Sequence, residues 1–142
     1  MKNLFSTAVS WGPASILMVL IFIGSQLPGS AVTLPPFSFA DKAIHYTVYL
    51  ILGFCIQVRI CFPHWFGMEL PEKRPIIWKS IVLGVLYGVS DEFHQYFVPL
   101  RDCSFFDLVA DAAGILTGVF IASKFLNQCR PGQNKTDFTL KK

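Results

Sequence analysis

The chain has 142 residues, 53% of them hydrophobic and only 15% charged, with a mean hydropathy of +0.50. A soluble domain carries about 25% charged residues, so the composition is that of a membrane protein with one compact domain. The net charge of +3 is small and the basic residues are dispersed, which argues against a nucleic-acid partner.

A spanning helix needs about 20 mostly apolar residues. Residues 4–27 meet that requirement without a charge. A cleaved signal peptide is the alternative there, because Lys2 precedes the stretch and Gly29-Ser30-Ala31 resembles a cleavage site. The uncharged run is, however, longer than the about 7–15 residues of a signal-peptide core. Residues 43–62 form a second candidate, with Arg59 near its end. Residues 76–97 qualify if Lys79 snorkels and Asp91, Glu92 and His94 are tolerated. Residues 105–126 enclose Asp107, Asp111 and Lys124. Between them lie breaker-rich connections: Pro28-Gly29-Ser30 with Pro35-Pro36, Pro63 to Pro75, and Pro99 to Ser104. The expected fold is all-α, a polytopic bundle of four transmembrane helices within residues 1–128, followed by a flexible cytoplasmic tail at 129–142.

Orientation follows from Lys and Arg. With both termini cytoplasmic, Lys2, Arg59, Lys73, Arg74, Lys79, Lys124, Arg130, Lys135, Lys141 and Lys142 fall inside, and only Lys42 and Arg101 outside. That asymmetry obeys the positive-inside rule. Asp41, Asp91, Glu92, Asp102, Asp107 and Asp111 fall on the outer side. The four cysteines, Cys55, Cys61, Cys103 and Cys129, show no CxxC or disulfide-framework spacing. The same topology separates Cys103 from Cys129, so all four read as structural.

The carboxylates lie at membrane depth. Lys79 and Asp91 are separated by about 16 Å of helix, against a hydrocarbon core of about 30 Å. Asp91 and Glu92 are too short to snorkel, so they sit one or two turns below the outer surface. Ionisable groups at such depth are costly and mark functional sites when they face a protein interior. Helical spacing puts Gly84, Tyr87, Gly88, Asp91 and Gln95 on one face, and Asp107, Asp111, Gly114 and Gly118 on another. Asp41, His45 and Tyr49 make a third row, and Glu92 lies a quarter-turn from Asp91. The glycines permit close helix approach. A structural alternative exists for two of these acids. Ser38-Phe39-Ala40-Asp41 and Ser104-Phe105-Phe106-Asp107 both match the capping box. Lys42 and Arg101 can equally be interfacial anchors, and a lone membrane histidine can be a packing residue.

The run Asp41-Lys42-x-x-His45-x-x-x-Tyr49 resembles the signature of the VanZ-like family. So does Asp91-Glu92-x-His94-Gln95-x-Phe97-Val98-Pro99, followed by Arg101 and Asp107. Ser25-Gln26-Leu27-Pro28 is similar to the family's first loop, and the resemblance covers about residues 11–122. Two positions depart from the pattern. Leu100 stands where a glycine is expected before the arginine, and Asp111 where an asparagine is usual. The resemblance implies a small multi-pass protein of the bacterial cytoplasmic membrane and cell envelope. It also implies a link to teicoplanin-type glycopeptide tolerance.

Three functions compete. In the first, the chain is an enzyme acting on a lipid or a lipid-linked cell-wall precursor headgroup. Asp91, Glu92, His45, His94 and Asp41 are then the candidate catalytic groups, and Lys42, Arg101, Gln95, Tyr49, Asp107 and Asp111 the substrate-binding ones. The two cations favour phosphoester or headgroup transfer, with arginine supplying a bidentate fork. Asp91, Glu92, His94 and His45 are the candidates to hold a divalent ion; Mg, Mn and Zn suit such ligands, but no spacing here is diagnostic. No GxSxG elbow, HExxH or phosphate loop occurs. In the second, the same pocket binds a membrane lipid, an envelope ligand or a partner protein without reacting. Transport ranks third, because almost nothing ionisable lies between the pocket and Gln57, Arg59 and Lys79 at the inner end.

Overall fold

A computed structural model describes residues 2–31, 39–65, 73–101 and 104–128. The polar tail from Cys129 onward, Cys103, Asp102 and the proposed cap Ser38 lie outside the described residues. Four α-helices and a single short 3₁₀ turn, with no strand, make up the described residues: α1 (Lys2–Ser25), the turn at Gly29–Ala31, α2 (Ala40–Trp65), α3 (Lys73–Gln95) and α4 (Phe105–Gln128).

The helix limits differ from the hydropathy limits in an understandable way. The second helix begins at Ala40, ahead of the apolar stretch, because Asp41 in its first turn favours the positive end of the helix dipole. Ala43 N–H already bonds to Phe39 O there. At the end of α3 the bonds shorten to i→i−3, with Phe97 N–H on His94 O and Val98 N–H on Gln95 O, and the chain then turns at Pro99. In that turn Arg101 N–H bonds to Val98 O, and Leu100 has φ 60°. Proline followed by a left-handed residue is the pattern of a type II turn, which favours glycine at the left-handed position. Gly29 packs against it so closely that a Cβ there would collide with the Leu100 carbonyl. Leu100 is exposed, so its side chain contributes little burial to offset the backbone strain. Leu100→Gly is expected to stabilise the fold by about 1 kcal/mol, the relief of left-handed strain less glycine's extra unfolded entropy. A raised Tm in detergent would show it; a lowered one would contradict it.

The closest helix pair is α2 with α4. A Cβ on Gly53 would lie 2.6 Å from Ile115 O. One on Gly114 would meet the Tyr46 carbonyl, and one on Gly118 the Leu50 carbonyl. This small-residue seam lets two backbones touch, as helix pairs in lipid do. Tyr46 Oη donates to Thr117 Oγ1 across it at 3.1 Å. Ala14, Tyr49, Leu52, Ile56, Ile81, Ile115 and Val119 form the buried core.

Among the described residues, two helices are long and apolar enough to cross a membrane, Ala40–Cys61 and Phe105–Leu126. In α3 the polar residues Ser80, Asp91, Glu92 and Gln95 are buried, while Trp78, Val82, Leu86, Val89 and Phe93 are exposed. Those exposed positions run at three- and four-residue spacing along one face. An average along the sequence mixes the two faces and so understates the outer one. Exposed Ile16, Val19, Leu20 and Ile23 on α1, with Phe120, Ile121 and Phe125 on α4, extend the apolar exterior around the bundle.

Candidate functional site

The polar ends of α2, α3 and α4 meet near the C-terminus of α1. Asp91 is buried and accepts hydrogen bonds from neutral donors only. Ser25 Oγ donates to its Oδ1 at 2.6 Å; Tyr49 Oη and Gln95 Nε2 donate to its Oδ2 at 3.2 and 3.0 Å. Ser25 reaches this carboxylate from the last turn of α1, where that helix passes α3. These bonds replace water around the carboxylate and hold it in place.

His45 is the centre of a second group. Its Nδ1 lies 3.0 Å from Asp111 Oδ1 and 3.7 Å from Glu92 Oε1, and its Nε2 lies 4.0 Å from Asp41 Oδ1. The His45 ring stacks parallel on Tyr49, centroids 6.5 Å apart, which links this group to the Asp91 network. Glu92 Oε2 accepts the Ser104 N–H at 3.3 Å. That corrects the capping-box expectation for Asp107: the Ser104 amide is taken by Glu92 of α3, not by the acid three residues on. Asp107 instead pairs with Lys42, Nζ to Oδ1 at 2.6 Å, and Lys42 also reaches Asp41 at 3.1 Å. Gly88 is pressed against this region, since a Cβ there would be 3.3 Å from the Tyr49 ring and 3.5 Å from Asp111 Oδ2.

Of the residues expected from sequence, Asp41, Lys42, His45, Tyr49, Asp91, Glu92, Gln95, Asp107 and Asp111 thus come together. Arg101 lies at the edge with a different task. Its Nε donates to Leu27 O at 3.1 Å and its Nη2 to Gly24 O at 3.3 Å, so it closes the C-terminus of α1, where a cation is favourable. His94 stands apart from both groups, with its ring 5.0 Å from that of Phe22. For a cation, the geometry groups His45 with Glu92 and Asp111, and with Asp41 and Asp107, rather than with Asp91 and His94. Ser25 is the member of the Asp91 network that sequence reasoning left without a role. A lone hydroxyl at the last turn of an apolar helix was the signal for it.

Beside the polar cluster lies a cavity of about 360 Å³ between α1 and α2. Leu17, Leu20, Ile21, Ile44 and Val48 make its apolar walls, and Asp41, His45, Asp91 and Arg101 its polar end.

The site and fold together define a helical protein with a buried acid–histidine cluster at one end of an apolar exterior. The family model described as VanZ/LLP1 matches residues 11–127, and the chain belongs to that family. An uncharacterized protein of Schizosaccharomyces pombe is 32% identical over 101 residues, a match spanning 70% of this chain and 56% of that protein. The chain therefore aligns with little more than half the length of that relative. No solved structure matches.

Proposed function

We propose that this chain is a four-span membrane protein whose outward-facing site holds a lipid or lipid-linked precursor. Its apolar part would occupy the cavity between α1 and α2, and its headgroup would meet the His45 cluster. The observation that carries the reading is the continuity of an apolar cavity with a buried polar cluster, the shape of an amphiphile. The inverted pattern of α3, polar within and apolar without, supports counting it as a span, and the apolar stretch of α1 supports the same for the first helix. The Lys and Arg asymmetry then favours both termini in the cytoplasm. On this reading residues 1–128 form the membrane domain and 129–142 a cytoplasmic tail. The bacterial cytoplasmic membrane and teicoplanin-type glycopeptide tolerance rest on the family resemblance, and an inhibitory-concentration assay with and without the chain addresses them.

Within this reading, Glu92 and His45 are the groups best placed to react, since Glu92 Oε1 has no hydrogen-bond partner and His45 lines the cavity, whereas Asp91 already accepts from Ser25, Tyr49 and Gln95. A second reading, a module that binds the headgroup without transforming it, is favoured by one observation. Lys42 and Arg101 are already engaged, on carboxylates and on backbone carbonyls respectively.

Val48→Trp, which fills the cavity, is expected to strip co-purifying lipid from the protein as read by native mass spectrometry. Leu86→Trp, on the exposed face of α3, is expected to leave it. Equal lipid in both variants and the native chain would overturn the proposal.

A further inference from the structure

The charge balance of the cluster sets a problem that the protein's own residues leave open. Asp41, Asp91, Glu92, Asp107 and Asp111 supply five carboxyl groups, against Lys42 and Arg101 as fixed cations. Buried charge of one sign is costly unless compensated. Asp91 is provided for by Ser25, Tyr49 and Gln95, and Asp107 by Lys42. Three carboxylate oxygens of the cluster, Glu92 Oε1, Asp107 Oδ1 and Asp111 Oδ2, are buried without a hydrogen-bond partner. Lys42 stands beside Asp107 Oδ1 as an ion pair, and the other two have no fixed cation among the described residues. Glu92 and Asp111 are almost wholly enclosed, at 3% and 1% exposure.

We propose that His45, Glu92 and Asp111 bind a divalent metal ion, with one ligand each from α2, α3 and α4. A ligand atom from each of these side chains lies within 4.8 Å of the other two, close enough for small movements to close the set on one ion. The surrounding residues are arranged as the outer layer of a metal site. Asp41 Oδ1 lies 4.0 Å from His45 Nε2 and acts on the imidazole through its charge, while Nδ1 is the ring nitrogen that faces Asp111 and Glu92. The Ser104 amide fixes Glu92 through Oε2, leaving Oε1 for the ion. Gly88 leaves the room beside Asp111 that a side chain would fill. One imidazole and two carboxylates form a mixed nitrogen–oxygen set that suits Mn²⁺ or Zn²⁺ better than Ca²⁺. Three protein ligands leave coordination positions open, and His45 also lines the cavity. The cation site stands on the cluster's own geometry. Its role, bridging these acids to an anionic headgroup, rests on the lipid reading above.

The test is Mn²⁺ binding to the chelator-stripped, detergent-purified chain, followed by the loss of the free-Mn²⁺ electron paramagnetic resonance signal. The expected result is about one ion per native chain, with the same stoichiometry in His94→Gln. Asp111→Asn and Glu92→Gln, both close in shape to the native residues, are expected to weaken binding at least about tenfold, the scale seen when even outer-layer partners of a metal are lost. Circular dichroism identifies any variant that fails to fold, and His45→Gln then takes its place. No binding to the native chain, or unchanged binding in Glu92→Gln and Asp111→Asn, would overturn the cation site. Lipid measured in the same samples separates the two ideas. Lipid that Val48→Trp displaces, in a chain that takes no Mn²⁺, defeats the metal alone; Mn²⁺ bound by a chain without lipid defeats the lipid reading alone.

Discussion

Gly118→Leu is expected to abolish the folded protein. The seam between α2 and α4 is the most extensive contact in the bundle, and it brings backbone against backbone. At Gly118 even a Cβ would overlap the Leu50 carbonyl and lie 2.8 Å from Phe54 N. A flexible side chain could swing away from such a clash, but a helix backbone cannot. The helices must separate, and that motion carries Tyr46 from Thr117 and His45 from Asp111. Overpacking costs about 1–3 kcal/mol in cores that can adjust, and this site lacks that freedom, so the effect belongs at or above the upper end. Gly84→Ala provides the contrast. Its new methyl would crowd the Ile115 side chain, 2.5 Å from Cδ1 and 2.9 Å from Cγ2. A buried β-branched residue has little χ1 freedom, so this variant also loses stability, but less, because side-chain atoms yield more than the helix backbone met at Gly118. The measurement is the yield of monodisperse protein and its Tm in detergent, with Gly118→Leu far below Gly84→Ala. Equal behaviour of the two would mean that the seam is not as tight as described.

Lys42→Met is the second large effect, and it acts through charge. Asp107 is buried and its nearest cation is Lys42 at 2.6 Å. Removing one partner of a buried pair costs about 3–5 kcal/mol because the other is left uncompensated. Lys42 keeps a third of its side chain exposed, and solvent screening reduces the loss, to about 2 kcal/mol. Methionine keeps most of the aliphatic stem of Lys42, so packing changes little. Adding Asp107→Asn to Lys42→Met removes the stranded charge, and the double variant is expected to recover at least half of the lost stability. Thermal unfolding of the single and double variants measures this. A Lys42→Met chain as stable as the native one would show that the pair is not what compensates Asp107.

The helices and the converging faces were legible in the sequence because both follow from helical geometry. Asp41, His45 and Tyr49 lie four residues apart and form one row; Asp91 and Gln95 do the same, and the structure joins the rows through Tyr49 and Asp91. The quarter-turn offset of Glu92 likewise shows up as its separate attachment to Ser104 and its approach to His45. What sequence could not supply was partner choice between helices. Arg101 has the chemistry of a phosphate clamp, yet three-dimensional proximity gives it the carbonyls of Gly24 and Leu27. His94 shares a short motif with Asp91 and Glu92, but a helix turns about 100° per residue, which sends its ring to Phe22 instead. Asp107 matches a capping box, and only the arrival of Glu92 from α3 shows why it does not act as one. The departure at Leu100 was visible as a residue, and its cost became visible only with its left-handed φ. The cavity had no sequence signal at all, since its walls are ordinary Leu, Ile and Val residues of two apolar helices.

The proposed amphiphile would sit between α1 and α2 with its headgroup at the His45 cluster. The most direct measurement is photocrosslinking with a lipid that carries a diazirine on its acyl chain near the headgroup, followed by peptide mapping. Labelling is expected to concentrate on Leu17 and Ile21 of α1 and on Val48 of α2, and to fall on α1 in Val48→Trp. Labelling spread evenly over the exposed apolar faces, with Trp78, Leu86 and Phe93 as strongly marked as the cavity walls, would contradict that placement.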